Sequence, residues 1–383
     1  MIARPYWQNR LEAAWRTRPI VWLSGVRRVG KTVLSQALPG CIYMNCDLVS
    51  TVRRLEDPEA YFGSLPAGSR LILDEVHRLP DPSRVLKIAA DAFPGLRVLA
   101  TGSSTLEATG KFADSLTGRK WSVHLLPVLW DECQRDFGIA DLDRRLLAGG
   151  LPEPLLAGEP SPGFCAEWME SFFARDIAEL FRVRDRNGFL TLLRLLFMRS
   201  GGQADLTRLS RECGISRPTV VSYLDGMSVA HAVFPLRPFH GGGTREYVRI
   251  PKIYVFDTGF AAFARGWEQI RDDDRGPLWE HLVLDTLRSS FGDGDLAYWR
   301  DKAGREVDFI VRRGRRVDAV ECKINPDGFD AGSLAVFRAM YSDGENLLVC
   351  PHVVEPYIRT VKGLRIRVIP TSCIHGLRDG QVR

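Results

Sequence analysis

Gly25-Val-Arg-Arg-Val-Gly-Lys-Thr32 is the stretch on which the fold turns. It satisfies the spacing G-x-x-x-x-G-K-[ST] at every fixed position. Just before it, Ile20-Val-Trp-Leu-Ser24 is a short apolar run with strand character. Just after it, Val33-Leu-Ser-Gln-Ala-Leu38 reads as a helix. The chemistry needs this order: glycines let the backbone curl so that its N–H groups face phosphates, and the helix N-terminus adds positive potential. Lys31 is expected to reach the β- and γ-phosphates of ATP, and the Thr32 hydroxyl to ligate Mg²⁺. Gly25, Val26, Arg27, Arg28, Val29, Gly30, Lys31, Thr32 and Val33 form the expected nucleotide cradle. The side chains of Arg27 and Arg28 are expected to point away from the phosphates, towards solvent or a partner. A chance Gly-Lys-Thr at a strand-to-helix turn would not explain the full match in its full context.

Downstream, Arg70-Leu-Ile-Leu-Asp74-Glu75-Val-His77 reads as an apolar strand ending in two carboxylates. In a parallel α/β sheet the C-terminal ends of strands share the ligand-binding edge. Asp74 is expected to hold Mg²⁺ or its water there, and Glu75 to polarise the attacking water. A further strand, Leu96 to Thr101, ends in Gly102-Ser103-Ser104, whose hydroxyls either sense the γ-phosphate or cap the next helix; Ser103 is the candidate. In Ser115-Leu-Thr-Gly-Arg119-Lys120, Arg119 is either a stabiliser of transition-state charge, in its own subunit or a neighbour's, or a solvated surface arginine.

The 383 residues suffice for two or three domains with real cores. A hydrophobic fraction of 45% and a charged fraction of 26% suit an ordinary globular chain. No charge-free apolar run is long enough to cross a bilayer, and Met1 to Arg10 has no apolar signal core. A cytoplasmic protein without a membrane partner is therefore expected. The eight cysteines form no C-x-x-C pair and no zinc-finger spacing, which points to scattered thiols in a reducing compartment. A net charge of +5 is compatible with nucleic acid without demanding it.

Together these stretches resemble the prokaryotic AAA-type ATPases in which a P-loop domain precedes a winged-helix segment and a C-terminal nuclease-like domain. Besides the P-loop, Leu71 to Val76, Ala100 to Ser104 and Ser115 to Arg119, the matches include Gly149-Gly-Leu-Pro152, Arg175-Asp-Ile177 and Pro251-Lys-Ile-Tyr-Val-Phe-Asp-Thr-Gly259. The resemblance implies an AAA-type core with ATP as ligand. The expected fold is α/β: a P-loop AAA-type doubly wound parallel sheet, a helical and winged-helix segment, and a C-terminal α/β nuclease-like domain. The expected bounds are 1–150 for the ATPase domain, 151–188 for a helical linker, 189–250 for the winged helix and 251–383 for the last domain.

Pro152 to Pro162 is rich in Pro, Gly and Glu and marks a boundary, after which Ala166 to Arg184 has apolar residues at helical spacing. Leu190 to Met198, Asp205 to Cys213 and Arg217 to Met227 read as three helices, with Ser216 capping the third. Ala232 to Leu236 and Gly241 to Val248 are the expected strands and wing. In a DNA-binding helix-turn-helix the third helix enters the major groove, and here it would offer Arg217, Thr219, Ser222 and Tyr223. The alternative is a helix-turn-helix used only for packing or oligomer contacts.

Near the C-terminus, Glu280 lies in an amphipathic helix, and Arg305 to Arg312 and Val317 to Lys323 alternate as two strands. With Gly314 and Arg315 central in a type II′ turn, Asp308 lands opposite Glu321 and Glu306 opposite Lys323. Asp308, Glu321 and Lys323 then share one face. Carboxylates with an E-x-K lysine suit a metal-dependent phosphodiesterase. The pattern resembles the restriction-endonuclease-like fold, with Glu280 as its helix glutamate. Three readings stay open: an active nuclease, a DNA-binding relic, and a salt-bridged face. The turn Arg312 to Arg316 is expected to be a solvated loop, and the tail from about Val361 is basic without a motif.

The leading functional expectation is an ATP-hydrolysing motor or remodeller on DNA, in repair or recombination, assembled as a homo-oligomeric ring in which Arg119 completes a neighbour's site. The alternatives are a nucleotide-gated regulatory or scaffold protein and an ATP-gated nuclease.

Overall fold

Strand β1, Ile20–Ser24, is buried along its whole length, as a continuous apolar run must be in a parallel sheet covered on both faces. With β2 (Cys41–Asn45), β3 (Arg70–Asp74), β4 (Arg97–Thr101) and β5 (Lys120–His124) it forms a five-stranded sheet in the order β2-β3-β4-β1-β5. Every pairing is parallel. The carboxyl ends of β1, β3 and β4 thus emerge side by side, carrying Ser24, Asp74 and Thr101. Ile20, Trp22, Leu71, Leu73, Val98, Ala100 and Phe112 pack in the core that the sheet shares with its helices. The helix Pro5–Thr17 buries Trp7, Leu11 and Trp15, and the Trp15 indole donates to the Val98 carbonyl at 3.1 Å.

The computed structural model describes residues 2–102, 106, 110–158, 161–178, 183, 185–241 and 250–377. The chain forms two compact units. The first gathers Met1–Leu126, Glu167–Arg184 and Asp225–Ala232; the second gathers Pro127–Ala166, Asp185–Leu224 and Val233–Arg383. The leading segment of the first unit ends earlier than the expected bound at residue 150. The reason is a buried network in the second unit: Arg145 donates to the Val128 carbonyl and the Thr258 hydroxyl, and Gly150 N–H donates to Asp257 at 2.6 Å.

Gly149 closes the helix Leu142–Ala148 at φ +80, and a β-carbon there would stand 1.9 Å from Asp257 Oδ1. Gly149→Ala is therefore expected to destabilise the chain by about 3 kcal/mol, combining a left-handed backbone with a clash that cannot relax cheaply. Urea unfolding checks this, and a loss under about 1 kcal/mol would show that Asp257 is able to move aside.

Helices Arg186–Met198 and Leu206–Cys213 of the second unit precede Arg217–Val229, whose first turn is capped where the sequence placed the cap: Thr219 N–H donates to Ser216 Oγ at 3.2 Å. Strands β6 (Gly202–Gln203), β7 (Val233–Leu236) and β8 (Lys252–Val255) form a small antiparallel sheet in the order β6-β8-β7. The expected strand from Gly241 to Val248 lies, but for Gly241, outside the described residues, and the strand that pairs with β7 is β8. The expected boundary from Pro152 holds the helix Pro152–Ala157, and the expected bridging helix runs Pro162–Phe172 before a π-helical turn over Phe173–Ile177.

The C-terminal sheet is mixed, in the order β13-β14-β12-β11-β10-β9, from β9 (Leu296–Arg300), β10 (Glu306–Arg313), β11 (Arg316–Cys322), β12 (Asn346–Val349), β13 (Tyr357–Val361) and β14 (Leu364–Ile369). The hairpin register is the expected one, with Arg313 opposite Arg316 and Phe309 opposite Val320. Gly314 takes φ +64, as a type II′ turn requires of its first central residue. One expectation changes. The arginines of the turn are not simply solvated, since Arg313 and Arg316 both pair with Asp318. The tail, for which no element was expected, contributes β14 between β12 and β13.

Candidate functional site

The loop before Lys31 is shaped by its backbone. Gly25 takes φ +147, and a β-carbon there would lie 2.6 Å from the Leu125 carbonyl oxygen. Gly30 (φ +98) and Arg28 (φ +61) also have positive φ. The helix Lys31–Gln36 starts at once, and Lys31 Nζ folds back to donate to the carbonyls of Gly25 (2.8 Å) and Val26 (3.1 Å). Burial lowers the pKa of Lys31 against the opposing pull of Glu75 and Asp176.

Asp74 ends β3 fully buried and is met by three hydroxyls. Thr32 donates to its Oδ2 at 2.9 Å, Tyr43 to the same oxygen at 2.6 Å, and Thr101 to Oδ1. Desolvation and the hydrogen bond to Asp74 raise the Tyr43 phenol, so it stays a donor. Glu75 follows at φ +59, a backbone conformation uncommon for non-glycine residues. Its N–H donates to Thr101 Oγ1 at 3.1 Å, and its carboxylate lies 3.1 Å from His77 Nδ1. That hydrogen bond lowers the Glu75 pKa more than burial raises it, so Glu75 is a carboxylate at neutral pH.

Lys31, Thr32, Asp74 and Glu75 are thus brought together as the sequence suggested. Thr101, Tyr43 and His77 join them without having been singled out. The sequence carries a signal for Thr101, a hydroxyl at the end of an apolar strand. Ser103 lies outside the described residues.

Arg27 and Arg28 depart from expectation. Both turn onto the segment beginning at Glu167, within the same unit: Arg27 Nε donates to Asp176 at 2.8 Å, and Arg28 pairs with Glu167 at 2.5 Å. The Trp168 indole donates to the Arg27 carbonyl at 3.2 Å. Asp176 lies in the stretch Arg175-Asp-Ile177.

Arg119 lies at the opposite edge of the sheet. Its carbonyl accepts from Ile20 N–H, at the first residue of β1 and so roughly 13 Å of strand away from the P-loop. Its guanidinium holds Asp91 through two bonds of 2.6 and 2.9 Å. The structure does not bring it to its own phosphate site.

On the helix Arg217–Val229, Arg217 and Ser222 are exposed and the Thr219 hydroxyl pairs with Ser216. Tyr223 corrects the expectation. It is buried against Phe189 with ring centroids 5.3 Å apart, and its hydroxyl donates to the Asp185 carbonyl, so it anchors the helix rather than facing a groove.

The C-terminal residues do converge, around a cation the sequence reading missed. Lys252, only 6% exposed at its side chain, pairs with Glu280 at 3.1 Å and Glu306 at 2.5 Å, and Tyr254 donates to Glu280. Asp308 accepts from Cys322 N–H at 2.8 Å. Burial and the charge of Asp308 raise Glu280 to about 7 and put Glu321 well above the usual range. Burial opposes the charge on Lys323, but Asp308 and Glu321 outweigh it and raise its pKa. Among the described residues no three His, Cys, Asp or Glu side chains are placed to hold a metal ion. Two lysines, Lys252 and Lys323, answer the carboxylates of this face. The clue was a lysine in the otherwise apolar strand Lys252-Ile-Tyr-Val255.

Comparison with known proteins divides the chain into three matches: an AAA domain over residues 17–134, a domain of unknown function (DUF8612) over 139–271, and a domain of unknown function (DUF4143) over 275–374. Two uncharacterised proteins, Mb2031c of Mycobacterium bovis and Rv2008c of Mycobacterium tuberculosis, are each 30% identical over 329 residues, covering 82% of this chain and 72% of theirs. Among solved structures, the Walker-type ATPase PABY2304 of Pyrococcus abyssi matches with a TM-score of 0.44 at 17% identity, over 69% of this chain and 96% of that one. A RuvB variant of Thermotoga maritima matches with a TM-score of 0.30 at 16% identity, over 70% and 96%. No helix among the described residues is long and apolar enough to cross a membrane.

Proposed function

Because the chain belongs to one family with the two mycobacterial proteins and carries an AAA domain, we propose that it binds ATP with Mg²⁺, hydrolyses it, and uses the cycle to act on DNA. The observation that carries the ATPase reading is the set of groups at one sheet edge: Lys31 in a curled glycine loop, Thr32 bonded to Asp74, and an ionised Glu75 beside them. Thr32 and Asp74 would hold Mg²⁺, because a hydroxyl and a carboxylate already 2.9 Å apart at the loop are the oxygen donors that this hard cation takes. The ion would neutralise charge on the phosphates. Lys31 would leave the Gly25 and Val26 carbonyls to meet the β- and γ-phosphates. Glu75 would accept a hydrogen bond from the attacking water and orient it.

The DNA reading is supported by the second unit's helices and small antiparallel sheet, read as a winged helix, with Arg217 and Ser222 exposed on the third helix. The net charge of +5 agrees with it. The C-terminal cluster is read as an ion-pair core rather than an active nuclease, because Lys252 already pairs with Glu280 and Glu306 there. Arg119 joins the reaction only if a second copy presents its P-loop to it, as in a ring. A cytoplasmic setting agrees with cysteines that form no disulfide.

The test is ATP turnover with Mg²⁺, with and without single-stranded, duplex and branched DNA. Glu75→Gln is expected to lower turnover by about 10²- to 10⁴-fold while ATP still binds. Stimulation by one DNA form, falling steeply with salt, supports the DNA reading. Turnover indifferent to every DNA form would instead favour a nucleotide-gated regulatory protein.

A further inference from the structure

Asp176 is a half-buried carboxylate beside the P-loop. It comes from the π-helical turn Phe173–Ile177, a local distortion that recurs at functional sites. Its oxygen takes the Arg27 guanidinium at 2.8 Å, with the two side chains 15% and 32% exposed. Its charge is also felt by Lys31 and by Glu75. Two further tethers hold the same segment to the loop: the Trp168 indole on the Arg27 carbonyl and Glu167 on Arg28. The Arg27 cation of the loop is thus answered by a side chain far along the chain.

We propose that Asp176 is a positioning and specificity-determining residue of the nucleotide site, which holds Arg27 while the γ-phosphate position is empty and gives it up to the γ-phosphate of ATP. The proposal rests on ATP occupying the P-loop. A third phosphate adds negative charge close to Lys31, so it repels Asp176 and competes with it for Arg27. A diphosphate lacks the group that does this. Asp176 therefore sets how strongly the site tells ATP from ADP, and its release removes one of the three contacts that hold the segment beginning at Glu167 to the loop. A mere staple between helix and loop would have a different consequence: its loss would weaken both nucleotides together.

The experiment is calorimetric titration of the full chain in Mg²⁺ with ATPγS and with ADP. Asp176→Asn is expected to tighten ATPγS by about tenfold, a typical coupling between a ligand and a two-state contact, and to change ADP by less than about twofold. Asp176→Glu should restore the wild-type ratio of the two affinities. Arg27→Gln, which keeps the loop backbone, should weaken ATPγS more than ADP. Combined with Asp176→Asn, it should remove most of the gain seen in Asp176→Asn alone, because the two residues act as one pair. Equal shifts for both nucleotides, or additive effects in the double variant, would overturn the proposal. A wild-type chain that binds neither nucleotide would overturn the ATP reading and this proposal with it. Wild-type binding with an unchanged ratio in Asp176→Asn would overturn this proposal alone.

Discussion

Lys31→Ala is expected to lower ATP turnover by at least about 10²- to 10³-fold, the usual effect of removing one preorganised charge or donor from a transition-state site. The reason is geometric as much as electrostatic. Lys31 is the first residue of the helix Lys31–Gln36, and its ammonium rests on two carbonyls of the loop it must later leave. Burial already lowers its pKa, so its charge is costly without the Glu75, Asp176 and Asp74 carboxylates around it. Alanine removes the cation and leaves those three carboxylates facing an incoming triphosphate. Binding should therefore weaken along with turnover, in contrast to Glu75→Gln, which is expected to spare binding. Turnover by Lys31→Ala within tenfold of wild type would place hydrolysis elsewhere or in a contaminant.

Lys252→Met should be the most damaging single change to stability in the second unit, by about 3–5 kcal/mol, because it strands buried carboxylates without their counter-charge. Methionine keeps much of the volume, so the loss reads the charge rather than a cavity. The pH dependence distinguishes this from simple packing. In the folded chain burial raises Glu280 from 4.5 to about 7 and raises Glu321 as well. The folded state then binds more protons than the unfolded one, and stability falls as pH rises through the window from 4.5 to about 7. Without Lys252 the carboxylates hold protons more strongly, and the window extends upward. The deficit of Lys252→Met should accordingly be larger at pH 8 than at pH 5, where protonation relieves the repulsion. Urea unfolding at the two pH values measures it. An equal deficit at both would mean that the charge of Lys252 does not stabilise the cluster.

The AAA domain was legible because its signals are local. Gly25 to Thr32 fixes a strand, a loop and a helix within a few residues, and Asp74-Glu75 at the end of an apolar run is placed by the rule that parallel strands share an edge. The C-terminal hairpin was legible for a similar reason: alternation about Gly314 sets one register, and a slip by one residue would turn every core side chain outward.

Other features could not be read this way. Tyr223 satisfied the helical spacing of an exposed residue, yet the packing of Phe189 decided that it is buried. Arg119 followed a helix in a suggestive motif, but the parallel register places it at the opposite end of the strands from the P-loop, because its chain enters β5 alongside the start of β1. Sequence alone determined the nucleotide-binding loop, the Asp74-Glu75 pair and the hairpin that sets Asp308 beside Glu321, since each depends on neighbours or on a fixed period. Only the tertiary structure decided that Asp176 answers Arg27 and that Lys252 answers Glu280, because such pairs join residues 149 and 28 positions apart and no local rule carries that far.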